Sequence, residues 1–215
     1  MADVEKDSAG ALAPTHTVAD PAPLGLAAFA LTTFLLSAKN AGWTDGTDAW
    51  LGYAFAYGGL AQLLAGMWEF RRRNTFGATA FGTYGGFWIG LGLYALLVAP
   101  GGTAAQVAND KAWILLAFAI VNLYLLITST QVNEAVFAVF LALQATEVVL
   151  FIGNFASNDT IIKVGGYVGV VTAAVAFYTS FAGVLNDTAG KSVLWVGSPM
   201  RMGGRASEAP VAHGH

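Results

Sequence analysis

Charged residues in this chain are spaced far apart, and that spacing limits what it can become. Stretches free of Asp, Glu, Lys and Arg run over 21–38, 49–68, 74–109, 112–133, 135–146 and 164–186. A helix needs about 20 apolar residues to cross the hydrocarbon core of a bilayer, so most of these runs have the length of one span. The third is too long for one, and Pro100, Gly101 and Gly102 close it near Ala99, leaving a polar loop through Asn109. The fifth is interrupted by Glu147 and resumes to Asn158. None shows the alternation of apolar and polar residues that a membrane barrel requires, so helices are expected. The expected fold is an all-α membrane protein with six transmembrane helices forming a bundle over 21–187. A soluble tail of residues 1–20 precedes it, and a polar, Gly-rich, flexible tail over 188–215 follows.

Composition agrees and removes several function classes. Of 215 residues 56% are hydrophobic and 11% charged, where a soluble domain has about a quarter charged. The apolar excess must face lipid or other spans. A net charge of −3 with no basic stripe gives no reason to expect nucleic acid as a partner. There is no cysteine, and His16, His213 and His215 all lie in the tails. The spans hold neither His nor Asp, so they offer no usual catalytic set. No metal, no cofactor and no enzymatic activity are expected. The string from Asn186 to Ser192 resembles the end of a phosphate loop, but Leu185 stands where that loop needs Gly. The acidic N-terminal tail lacks the basic start of a cleaved signal peptide.

Arg71, Arg72 and Arg73 fall between the second and third spans and should stay on the cytoplasmic side. Both termini are then cytoplasmic in a multi-pass protein of the plasma or inner membrane. The loops at Asp45–Asp48, Gly101–Asp110 and Asn158–Lys163 are outside. Glycines within spans, such as Gly58, Gly66, Gly82, Gly86 and Gly166, suit close helix packing within or between subunits.

Asp20-Pro21-Ala22-Pro23-Leu24-Gly25-Leu26 is the most distinctive string. Asp20 can accept a bond from a free N–H of the first turn, and Pro21 at the first helical position has no N–H to leave unpaired. Together with Phe29, Thr32-Thr33, Lys39-Asn40-Ala41-Gly42, Tyr57-Gly58-Gly59, Gln62, Gly66, Glu69, Asn74-Thr75-Phe76-Gly77, Tyr84-Gly85, Gly153-Asn154 and Leu185-Asn186, it resembles the signature of the acetate uptake transporter family. The match runs from the first span to the sixth.

That resemblance implies a six-helix protomer with its own pore, a homo-hexamer in the lipid bilayer, and passage of acetate or another small carboxylate, with succinate in some members. It also implies a constriction at Phe29, Tyr84 and Leu143. The family signature usually begins with Asn, so Asp20 places a negative charge where an anion arrives or leaves. Acetate needs hydrogen-bond donors for its charged end and an apolar collar for its methyl. Candidates are Thr32, Thr33 and Asn40 on the first span, Gln62 on the second and Thr83 on the third. On the fifth, Leu143, Glu147, Leu150 and Asn154 form one stripe. Each polar group can instead bridge helices. Glu147, at a position expected to be apolar, must be protonated, paired or hydrated at that depth. Pairing with Lys39 or Lys163, a subunit contact and a pore-facing titrating role all remain open. A non-transporting sensor or scaffold on the same bundle is the alternative function.

Overall fold

The computed structural model describes residues 18–44 and 48–200. The tail ends at 1–17 and 201–215, with all three histidines, and Asp45 of the first expected outer loop lie outside the described residues. Within them the chain is helical, in the order α1 (Ala22–Asn40), α2 (Ala49–Phe55), a π-helical segment (Ala56–Ala61), α3 (Gln62–Arg71), α4 (Thr75–Leu93), α5 (Ala104–Ser129), α6 (Glu134–Phe155) and α7 (Asp159–Ala189). Among the described residues, five helices are long and apolar enough to cross a membrane. The second of the six expected spans is assembled from α2, the π segment and α3.

The helices start where the sequence supplies caps. Asn74 accepts from the N–H of Gly77 at 3.1 Å, Asn133 from Val136 at 2.8 Å and Asn158 from Thr160 at 3.0 Å, each filling an orphan position of a first turn. One boundary differs from expectation. Residues 104–109 are the first turns of α5 and not a polar loop, because Thr103 and Gln106 form a reciprocal capping box. α4 is extended by a π turn (Tyr94–Val98) and a short 3₁₀ turn (Ala99–Gly101), so the link to α5 is brief.

Packing runs round a ring: α1 on α7, α7 on α6, α6 on α5, and α3 with its π segment against both α1 and α4, with α4 meeting α5 to close it. Small residues set the approach. A Cβ on Gly66 would lie 2.8 Å from the backbone nitrogen of Gly82, so α3 and α4 touch main chain to main chain. Gly82, Gly86 and Gly90 have open space beside them, so a Cβ there would meet nothing within the protomer. Thr146 and Thr172 hydroxyls bond at 2.8 Å and pin α6 to α7.

Residues 191–200 belong to the stretch read as a flexible tail, yet they return across the basic end of the bundle. The Asn186 side chain accepts from the N–H groups of Val193 and Leu194, Ala135 N–H donates to the Val196 carbonyl at 2.9 Å, and Met200 N–H donates to the Thr130 carbonyl at 2.7 Å.

Candidate functional site

Three cavities follow one another along the inside of the ring. The first, about 70 Å³, opens at the end carrying Arg71–Arg73 and includes Leu26, Gln62, Glu69 and Phe140 in its wall. The second, about 50 Å³, lies at mid-depth among Thr33, Ser37, Trp88, Thr146 and Glu147. The third, about 230 Å³, opens at the opposite end among Lys39, Trp50, Lys111 and Asn154. The first and second share Phe29, Tyr84 and Leu143 as lining residues and no others. These three side chains, from α1, α4 and α6, are all buried, and the rings of Phe29 and Tyr84 meet edge-on at 5.7 Å. The two cavities therefore meet at these three side chains.

A polar chain backs the collar. Tyr84 Oη lies 3.1 Å from Asn122 Oδ1 and 3.1 Å from Glu147 Oε1. Asn122, fully buried on α5, donates to the Phe140 carbonyl at 3.0 Å and to Gln144 Oε1 at 2.9 Å. Glu147 therefore pairs with Tyr84, and the alternatives involving lysine do not form. Lys39 pairs with Asp48, and no ion pair of Lys163 exists among the described residues.

Buried polar atoms in folded proteins almost always have hydrogen-bond partners. Among the described residues the exceptions are Thr33 Oγ1, Trp50 Nε1, Gln62 Oε1, Glu69 Oε1, Trp88 Nε1 and Glu147 Oε2. Every one belongs to a residue lining one of the three cavities. Thr33 and the two indoles are donors at the middle and far cavities, while Gln62 and Glu69 stand at the basic-end cavity.

The candidates read from the sequence divide accordingly. Thr33, Asn40, Gln62, Glu147 and Asn154 line the cavities, and the stripe Leu143, Glu147, Leu150, Asn154 faces them along its length. Thr32 and Thr83 line none of the three. Thr32 donates to its own helix at the Ala28 carbonyl and packs where a Cβ on Gly58 would sit. In the signature segment, Ala22 N–H donates to Asp20 Oδ1 at 3.0 Å as expected, but Pro21 occupies the cap position and Pro23 falls in the first turn. Ser180 of α7 donates to the Pro23 carbonyl at 2.6 Å, Gly25 abuts the Phe81 ring, and Leu26 lines the first cavity, while Leu24 faces outward. The Asp20 carboxylate is paired with Arg72, which offsets the charge it brings to that mouth.

Sequence reasoning missed Asn122, Gln144, Lys111, Trp50 and Trp88. Asn122 carried a signal, a lone amide in the middle of the apolar run 112–127.

A ring of apolar helices with three cavities in succession inside it defines a multi-pass membrane protein. Residues 5–197 match the GPR1/FUN34/yaaH family model, and the chain belongs to that family. It is 41% identical over 179 residues to Accumulation of dyads protein 2 of Saccharomyces cerevisiae, covering 80% of this chain and 63% of that one. It is 40% identical over 190 residues to Acetate permease A of Emericella nidulans, covering 79% and 63%. Against the succinate-acetate/proton symporter SatP of Escherichia coli K12 the identity is 36% over 180 residues, covering 84% and 96%. The chain thus spans less than two thirds of the first two relatives and nearly all of the third. The solved structure of the bacterial acetate channel SatP superposes with a TM-score of 0.79 at 36% identity, covering 84% of this chain and all of that one.

Proposed function

We propose that the protein passes acetate and similar small carboxylates, succinate among them, along the three cavities, with Phe29, Tyr84 and Leu143 as the gate. The observation that carries this reading is that, among the described residues, every unpartnered buried side-chain polar atom belongs to a residue of the cavity walls. Such atoms are costly in a sealed core and useful on a route that water and a carboxylate share. Acetate permease A and SatP, named for acetate, support it.

In the far cavity Lys39 is neutralised by Asp48, while Lys111 has no counter-ion among the described residues, so the mouth attracts an anion. The carboxylate then takes bonds from the Trp50 and Trp88 indoles and the Thr33 hydroxyl. At the collar, aromatic and aliphatic walls accept the methyl and strip water from the charged end, which sets the barrier. Asn40 and Asn154 guard the far side, and the Gln62 amide meets the substrate beyond the collar, where the Glu69 carboxyl accepts from Asn74. By the basic cluster at Arg71–Arg73, that receiving end is cytoplasmic, with both termini on the same side in the plasma or inner membrane. The open flank at Gly82, Gly86 and Gly90 suits subunit contact in a homo-hexamer.

Uptake of labelled acetate into vesicles holding the purified protein tests the reading. Uptake above that of protein-free vesicles is expected. Folded protein giving no excess uptake points instead to a sensor or scaffold.

A further inference from the structure

The carboxyl of Glu147 belongs to a hydrogen-bond chain whose protons can be counted. Asn122 Nδ2 carries two hydrogens, and both are committed, to the Phe140 carbonyl and to Gln144 Oε1. Its amide is therefore fixed in orientation, and Oδ1, an acceptor only, faces Tyr84 Oη. Tyr84 has one hydroxyl proton and two oxygen neighbours at 3.1 Å. If that proton goes to Glu147, Asn122 Oδ1 is left buried without a donor. All the contacts are satisfied together only when Tyr84 donates to Asn122 and a protonated Glu147 donates to Tyr84 Oη.

We infer that Glu147 is a proton-binding site of the closed collar and that Asn122 is the positioning residue that keeps the proton there. The part this plays in carboxylate passage rests on the transport reading above, whereas the proton count does not. With its proton directed at Tyr84, Glu147 keeps Oε2, a buried atom without a partner, as an acceptor on a residue that lines the middle cavity. A neutral carboxyl beside the collar does not repel a passing carboxylate. Once ionised, it does, and the Tyr84 hydroxyl then turns from Asn122 to Glu147.

The surroundings add no charge to this chain. α4 contributes Tyr84, and α1 contributes the neutral Thr33, Ser37 and Asn40. α5 contributes Asn122 and Leu115, while Tyr124, two residues beyond Asn122, is exposed on another face of the helix. α7 contributes Thr172 through its bond to Thr146. The charged groups of the route are Lys39, Asp48 and Lys111 in the far cavity and Glu69 in the basic-end cavity.

Infrared difference spectra of the full-length protein in vesicles, recorded against pH, read the proton directly. At neutral pH the wild type should show a protonated-carboxyl C=O band that Glu147→Gln removes. Asn122→Leu frees the Tyr84 proton for the carboxylate and should lower the midpoint of that band by at least about one pH unit. Gln144→Leu releases one amide hydrogen and lets Asn122 turn over. It should shift the midpoint the same way by less, and its half-buried position tolerates the change should Asn122→Leu fail to assemble. A wild type without the Glu147-dependent band, or a midpoint unmoved or raised in the variants that assemble, overturns the inference. Band and shift in a protein that carries no acetate overturn the transport reading alone, and flux without the band overturns this inference alone.

Discussion

Replacing Leu143 by alanine removes three carbons from the only wall common to the first two cavities. Leu143 is 6% exposed, so by burial alone it is a core residue. Leu→Ala in a close-packed core costs about 2–5 kcal/mol. Here the side chain already borders open space on two sides, which puts the expected loss near the lower end, about 2 kcal/mol, and leaves the bundle assembled. The effect on passage is larger in consequence. A collar widened by these carbons lets a water accompany the carboxylate, and a hydrogen bond to a charged group contributes about 1.5–3 kcal/mol. If stripping that water sets the barrier, acetate flux should rise by roughly tenfold to a hundredfold, since each 1.36 kcal/mol is about a factor of ten in rate. Larger monocarboxylates should gain more than acetate does. The assay is initial uptake of labelled acetate, propionate and butyrate by vesicles of equal protein content, with assembly checked by size-exclusion. Unchanged flux and unchanged size selectivity in assembled Leu143→Ala would refute the collar.

Glu147→Gln keeps a neutral side chain beside Tyr84, so flux that falls with rising pH in the wild type should become flat across the same range. Measured uptake with an unaltered pH profile removes the titrating role. Trp88→Phe deletes one unpartnered donor and leaves a smaller aromatic ring, and should raise the half-saturating acetate concentration several-fold with a modest loss of thermal stability from the space left behind. Gly66→Val forces side-chain atoms onto the Gly82 backbone, where a Cβ alone would lie at 2.8 Å, and should destabilise by about 1–3 kcal/mol or more, seen as a lowered melting temperature in detergent. A cysteine at Asp110 should react with an impermeant thiol reagent applied outside intact cells, and one at Arg72 should not; the reverse pattern inverts the orientation.

The positions of the spans were legible because crossing lipid forbids frequent charges, and the spacing of Lys39, Glu69, Asp110, Glu134 and Asp187 punctuates the helices. The error at residues 104–109 arose where polar residues that looked like a loop belong to a capped, water-facing first turn. The stripe Leu143, Glu147, Leu150, Asn154 was readable because helical period alone places it on one face. What faces it was not. The meeting of Tyr84, Asn122 and Glu147 depends on how α4, α5 and α6 are rotated about their own axes. Helices apolar on nearly every side do not reveal that rotation. The grouping of Phe29, Tyr84 and Leu143 came from family resemblance, because no local pattern links residues on three separate helices. Trp50 and Trp88 carry no sequence signal of their own, because tryptophan in a membrane protein ordinarily marks the lipid interface, whereas these two are buried with their indole nitrogens unpartnered.

The chain contains no cysteine, so Leu143→Cys introduces a single thiol at the collar. Acetate uptake by vesicles carrying this variant, measured before and after modification with a small methanethiosulfonate reagent, tests whether substrate crosses between Phe29, Tyr84 and Leu143. Uptake should fall to the level of protein-free vesicles on modification and return when the adduct is reduced. Fully modified protein that carries acetate at its original rate would contradict the account.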